Sequence, residues 1–154
     1  MEVNFVIDFK NKTPKILVIG DLMIDQYLWG SCDRISPEAP VQVINVDNES
    51  TLLGGAGNVI NNLKALNADV DVISVIGECK TSTELKNLLA KINVDTKYLI
   101  SQKDRITSRK SRIISSQQQV VRFDRERYDE INPKSQKTIL TIFIIMLGFI
   151  NLMW

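Results

Sequence analysis

Apolar positions along this chain come in two textures, short unbroken runs and stripes at helical spacing, and the two alternate. Lys15-Ile16-Leu17-Val18-Ile19-Gly20 is a continuous run closed by glycine, as expected of a parallel strand covered on both faces. Val70-Asp71-Val72-Ile73-Ser74-Val75-Ile76-Gly77 is expected as the next sheet strand. Between them Val59, Ile60, Leu63 and Leu66 share one helical side, while Asn61, Asn62 and Lys64 face away. Leu85, Leu88, Leu89 and Ile92 form a second helical stripe, and Thr81 with Glu84 predicts a capping box at its start. Thr96 to Ile100, Thr107 to Ile114 and Gln119 to Phe123 are expected as strands, and Asn132 followed by Pro133 opens a last helix. The alternation predicts an α/β fold with a mainly parallel sheet.

Residues 26–53 break this pattern. Tyr27 to Trp29, Val41 to Val46 and Thr51 to Leu53 are short strand-like segments separated by polar turns and by Pro37 and Pro40. Apolar residues fall on both faces of this set. It predicts a small inserted sheet covered by a ligand or a second subunit.

Composition narrows the chemistry. The 154 residues are 44% hydrophobic and 24% charged with a formal charge of +1, which gives no global reason to expect a nucleic-acid partner. Histidine is absent from the sequence, so Ser–His and Cys–His catalysis and histidine-ligated metals are excluded for this chain. Cys32 and Cys79 match no metal or redox spacing, and a cytoplasmic location is expected. The N-terminal extension, residues 1–14, carries Glu2 and Asp8 and no long apolar core, and is not expected to be a signal peptide. Ile139 to Trp154 has no charged residue but is shorter than a bilayer span of roughly 20 residues, so a buried helix or a displaced tail is expected rather than an anchor.

Candidate chemistry gathers at two places. Asp21 and Asp25 follow the first strand, at the sheet edge where open α/β folds bind ligands. Gly54-Gly55-Ala56-Gly57-Asn58 then strips side chains from the backbone where a helix begins, which suits a polyhydroxylated or anionic ligand or, equally, simple close packing. A dinucleotide site does not fit. Ile60 stands where the fingerprint needs glycine or alanine, the element follows the β insert, and no Walker-type sequence occurs.

Three stretches together are specific. Gly20-Asp21-Leu22-Met23-Ile24-Asp25, Arg34-Ile35-Ser36-Pro37-Glu38-Ala39-Pro40-Val41 and Gly54-Gly55-Ala56-Gly57-Asn58-Val59 resemble the ribokinase-like (PfkB) carbohydrate kinases, and within them the heptose-7-phosphate kinase branch. The Arg-Ile-Ser-Pro-Glu-Ala-Pro-Val run is the narrow marker, and the resemblance runs from about Lys15 to Phe143. It implies a ribokinase-like fold with residues 26–53 as a β lid over the sugar, in this branch often shared between subunits. It further implies that Asp25 accepts hydrogen bonds from sugar hydroxyls, and that Asn58 with the Gly54–Gly55 backbone fixes others. Asp21 is better read as a strand-end or turn residue. Lys110 and then Arg122 are expected at the substrate phosphate, within the pattern Lys110, Arg112, Gln119, Arg122 and Asp124. Arg34 is expected to reach substrate or a second subunit, or else to be a solvated surface arginine. The branch uses ATP and magnesium to phosphorylate the anomeric hydroxyl of D-glycero-D-manno-heptose 7-phosphate, for ADP-heptose and the lipopolysaccharide core.

The sequence also departs from the family. The Gly-Ala-Gly-Asp element that supplies the general base and the phosphoryl cradle does not occur here, so neither catalytic residues nor an ATP or metal site is expected in this chain, which is expected to be inactive alone. Residues 144–154 lose amphipathicity, which predicts a truncated or frame-shifted product. Glu78-Cys79-Lys80 replaces a Gly-x-Asp common among relatives. Rival expectations are a non-catalytic sugar-phosphate-binding or dimerisation module joined through the lid, and a product without function. Heptose phosphate is the expected ligand; nucleic acid and membrane are not expected partners.

Overall fold

The computed structural model describes residues 13–151, with side chains placed to residue 148. The expected extension of residues 1–14 lies almost wholly outside them. Seven strands and three helices follow in the order β1 (Lys15–Ile19), β2 (Leu22–Ile35), β3 (Gln42–Gly55), α1 (Ala56–Ala65), β4 (Asp69–Gly77), α2 (Lys80–Lys91), β5 (Leu99–Gln102), β6 (Ser108–Ser115), β7 (Gln118–Arg125) and α3 (Pro133–Asn151).

They form two sheets. The apolar runs β1 and β4 pair in parallel, and β5 continues in parallel on the far side of β4. Val70, Val72 and Ile76 of β4 pack with Ile60 of α1 and with Leu85 and Leu89 of α2 in one core. Helix α3 runs against β5 and β4, completing a three-layer α/β unit. Its start is as expected: the Asn132 side-chain oxygen accepts the Ser135 amide at 2.7 Å, ahead of Pro133. No helix among the described residues is long and apolar enough to cross a membrane.

The second sheet, ordered β3-β2-β6-β7, is the inserted element, and it differs from the expectation in two ways. Tyr27–Trp29, Val41–Val46 and Thr51–Leu53 are not three short strands but parts of two 14-residue strands in one antiparallel ladder. Polar residues interrupt the alternation without interrupting the ladder, because a strand exposed on both sides tolerates them and register irregularities at Trp29/Gly30 and Cys32/Arg34 absorb the mismatch. The lid sheet also recruits β6, parallel to β2, and then β7. Leu22, Ile24 and Leu53, at the lid's base, are buried in the main core and root the lid in it.

Two smaller corrections concern helices. Val59 and Leu66 are 49% and 72% exposed, so the buried stripe of α1 narrows to Ile60 and Gly57, with Leu63 packed at its margin. The cap of α2 is Cys79 with Ser82, not Thr81 with Glu84; the Ser82 hydroxyl takes the Cys79 amide at 3.4 Å. Glu84 is turned instead to Arg109 of β6. The strand expected over Thr96–Ile100 forms slightly later, at Leu99–Gln102.

Candidate functional site

The turn between β1 and β2 is only Gly20-Asp21, so Asp25 sits inside a strand rather than in a loop. Strand register decides its company. Met23 faces Gly54 across β2–β3, while Asp25 is level with Lys110 of β6, which is level with Asp124 of β7. Two residues further, Tyr27, Arg112 and Arg122 are level. Residues level across a sheet share a face, so Asp25, Lys110, Arg112, Arg122 and Asp124 form one surface.

Glycine is required beside that surface. A Cβ at position 54 would overlap the Asp25 carboxylate, and Gly54 is buried beneath it. Gly55 has φ +58°, where an L side chain is strained, and a Cβ there would lie 2.7 Å from the Asp21 carbonyl oxygen. That carbonyl accepts the Ala56 amide at 3.0 Å and ties β1's exit to the first residue of α1. Thus Asp21 acts through its backbone, in keeping with a turn role. Asn58, third residue of α1, is exposed, and the first turn carries no acid and no side-chain cap.

Charge on this face is fully paired. Arg112 Nη1 donates to Asp25 Oδ1 at 2.5 Å, and the guanidinium lies 5.2 Å from the Tyr27 ring centre. Tyr27 in turn stacks on Trp29, with centroids 5.6 Å apart. Arg122 donates twice to Asp124, at 2.8 and 2.6 Å. Those hydrogen bonds raise the Arg122 guanidinium above its usual range and hold the Asp124 carboxyl below its own. Lys110 reaches Glu126 at 3.6 Å and Asp124 at 3.9 Å. Three cations thus face three carboxylates, Asp25, Asp124 and Glu126.

The comparisons with known proteins agree with the three quoted stretches. Residues 13–142 match the model of the pfkB family carbohydrate kinases. The chain belongs to that family. It is 64% identical over 131 residues to the bifunctional protein HldE of Aliarcobacter butzleri and 53% identical over 131 residues to that of Sulfurimonas denitrificans. Each alignment covers 85% of this chain and 28% of the relative. Among solved structures, a carbohydrate kinase from Agrobacterium tumefaciens superposes with TM-score 0.58 at 23% identity, covering 73% of this chain and 36% of that one. The ribokinase of Arabidopsis thaliana complexed with ribose and ATP gives 0.54 at 18%, covering 75% and 36%. These likenesses establish the ribokinase-like fold.

Asp25, Lys110 and Arg122 thus share one face of the lid sheet, and Gly54 lies beneath the Asp25 carboxylate, whereas Arg122, on edge strand β7, is three strands from Gly54 and Asn58 lies in α1. Arg34 is not among them. It lies exposed beyond the second irregularity of β2, nine residues and roughly 30 Å along the strand from Asp25. Arg112 is the residue that sequence reasoning undervalued. Its signal was its i+2 spacing from Lys110, which puts both on one face of a strand.

Proposed function

We propose that this chain forms the sugar-binding wall of a heptose-7-phosphate kinase site, in which Asp25 grips hydroxyls of D-glycero-D-manno-heptose 7-phosphate beside the Gly54–Gly55 backbone and Asn58. The observation that carries the reading is the Asp25 carboxylate, held over a glycine that leaves it room and within 2.5 Å of Arg112. The paired face has no surplus positive charge for a phosphate. When sugar hydroxyls take over Asp25, Arg112 is released as a free cation, and the substrate's own phosphate becomes its new partner. Hydroxyl and phosphate recognition are thereby joined in one exchange of charge-assisted bonds. Lys110 and Arg122, at the same face, would assist only by loosening from Asp124 and Glu126.

ATP and magnesium belong to the family's reaction and supply the transferred phosphoryl group and its charge neutralisation. The residues here do not fit them: the sequence lacks the Gly-Ala-Gly-Asp base and cradle, and every cation on the Asp25 face is already paired with a carboxylate. No chemical step is therefore assigned to this chain alone. The anomeric phosphorylation that leads to ADP-heptose and lipopolysaccharide core belongs, on this reading, to the longer cytoplasmic enzyme, and the chain by itself is inactive. A thermal-shift titration tests it. Heptose 7-phosphate is expected to raise Tm and ATP to leave it unchanged; stabilisation by ATP, or none by the sugar phosphate, overturns it.

A second reading, dimerisation through the lid, is favoured by half-exposed apolar residues, Ile35, Val46 and Leu52 on its long strands and Val41 just before β3. The two readings are compatible, because a lid shared between subunits would close over the same wall.

A further inference from the structure

The lid sheet has a second face, turned away from Asp25, and its charges are arranged against local electrostatic sense. Arg109 of β6 and Arg125 of β7 are directly level across an antiparallel pair, an arrangement of like charges that costs stability. Lys80, the first residue of α2, adds a third cation at the positive end of the helix dipole, and the first turn carries no acid. Glu84 neutralises Arg109 alone; among the described residues neither Lys80 nor Arg125 has an ion-pair partner.

These cations line a cleft of about 290 Å³, together with Gln26, Thr81, Ser111 and Phe123. Its polar groups present donors. The side-chain oxygen of Gln26 is occupied by Ser111 Oγ at 3.0 Å and Arg109 Nη1 at 3.4 Å, which leaves its amide NH₂ unused. Thr81 is only 6% exposed and lines the cleft, and its hydroxyl is in no hydrogen bond among the described residues. The backbone amides of Lys80 and Thr81, at the start of the 12-residue α2, have no acceptor there either.

We propose that this cleft is an anion site for a phosphate or phosphate monoester, separate from the sugar wall on the opposite face. A tetrahedral anion seated at the start of α2 would take the free helix amides and the Thr81 hydroxyl, and would neutralise Lys80 and Arg125 together. It would also relieve the Arg109–Arg125 juxtaposition. Because Gln26 and Ser111 adjoin Asp25 and Arg112 in sequence, an anion here would stiffen β2 and β6 at the level of the sugar wall, which makes the site a candidate regulator of the lid.

The test is an amide NMR titration of the 154-residue chain with inorganic phosphate at constant ionic strength. Saturable shifts centred on Lys80, Thr81 and Ser82 are expected, with at least tenfold weaker affinity in K80Q/R125Q and unchanged affinity in K91Q, which removes one charge from the other end of α2. Should the double variant fail to fold, T81V, close in shape and without the hydroxyl, is expected to weaken binding several-fold. Shifts that never saturate, or equal loss in K91Q and K80Q/R125Q, overturn the proposal.

Discussion

Arg112 Nη1 lies 2.5 Å from Asp25 Oδ1, and both side chains are about one-fifth exposed, at 20% and 21%. A pair so placed falls between surface pairs worth up to about 1 kcal/mol and buried pairs whose disruption costs about 3–5 kcal/mol. Arg112→Met is expected to destabilise the fold by about 1–2 kcal/mol, leaving Asp25 without its cation. Asp25→Asn/Arg112→Met should recover part of that loss. Urea unfolding of these two variants and of Asp25→Asn closes the cycle, and strict additivity would show that the two groups do not interact in solution.

Gly54 and Gly55 separate function from fold. Gly55→Ala places a side chain at φ +58° and 2.7 Å from the Asp21 carbonyl, so a loss of about 1–3 kcal/mol in unfolding free energy is expected. Gly54→Ala instead drives a methyl into the Asp25 carboxylate, which can swing away. It is expected to abolish heptose 7-phosphate binding, read by calorimetry, at a smaller stability cost. Equal binding by Gly54→Ala and the parent chain would remove Asp25 from the site.

The core sheet was legible because β1 is an unbroken apolar run and β4 is a β-branched, mostly apolar one that Asp71 and Ser74 interrupt only singly. The lid was legible as a β insert but not in extent. Asp25, Gln26, Asp47 and Glu49 interrupt the strands chemically, and only the ladder between β2 and β3 shows that they remain strand. Asp25 and Gly54 were singled out through the motif they belong to. Arg112 was named only as part of a basic pattern, because its pairing with Asp25 joins residues 87 apart on parallel strands, which no local pattern encodes. The rear cleft was hidden for the same reason: Lys80, Arg109 and Arg125 are scattered in sequence, and Thr81 and Glu84 were absorbed into an expected capping box that the chain does not use.

Association through the lid gives a third prediction. Ile35, Val46 and Leu52 on the lid strands and Val41 just before β3 are each about half exposed, apolar surface that a partner lid could cover. Sedimentation is expected to show a concentration-dependent dimer, and Val41→Glu/Val46→Glu to shift it to monomer without changing the urea midpoint. A parent chain monomeric at high concentration would contradict the lid contact.

Cys79 offers the last prediction, in which pH is the variable. Burial pushes its thiol up, but hydrogen bonds from the Ser82 side chain, the Thr107 backbone and their neighbours outweigh it and bring the group down from 9.0 to about 7. Its place as N-cap of α2 favours the thiolate further. A depressed folded value means that ionisation favours the native state, so this contribution is fully present above pH 9 and is lost as pH falls through about 7. Two outcomes follow. Iodoacetamide should label Cys79 with a midpoint near pH 7, whereas unfolded chain in urea should label nearer the ordinary thiol value. Native stability should rise between pH 7 and 9 in the parent chain and less so in Cys79→Ser, where no thiolate forms. Ser82→Ala, which removes one hydrogen bond to the sulfur, should move the labelling midpoint upward; an unmoved midpoint would show that the hydroxyl does not hold the thiolate.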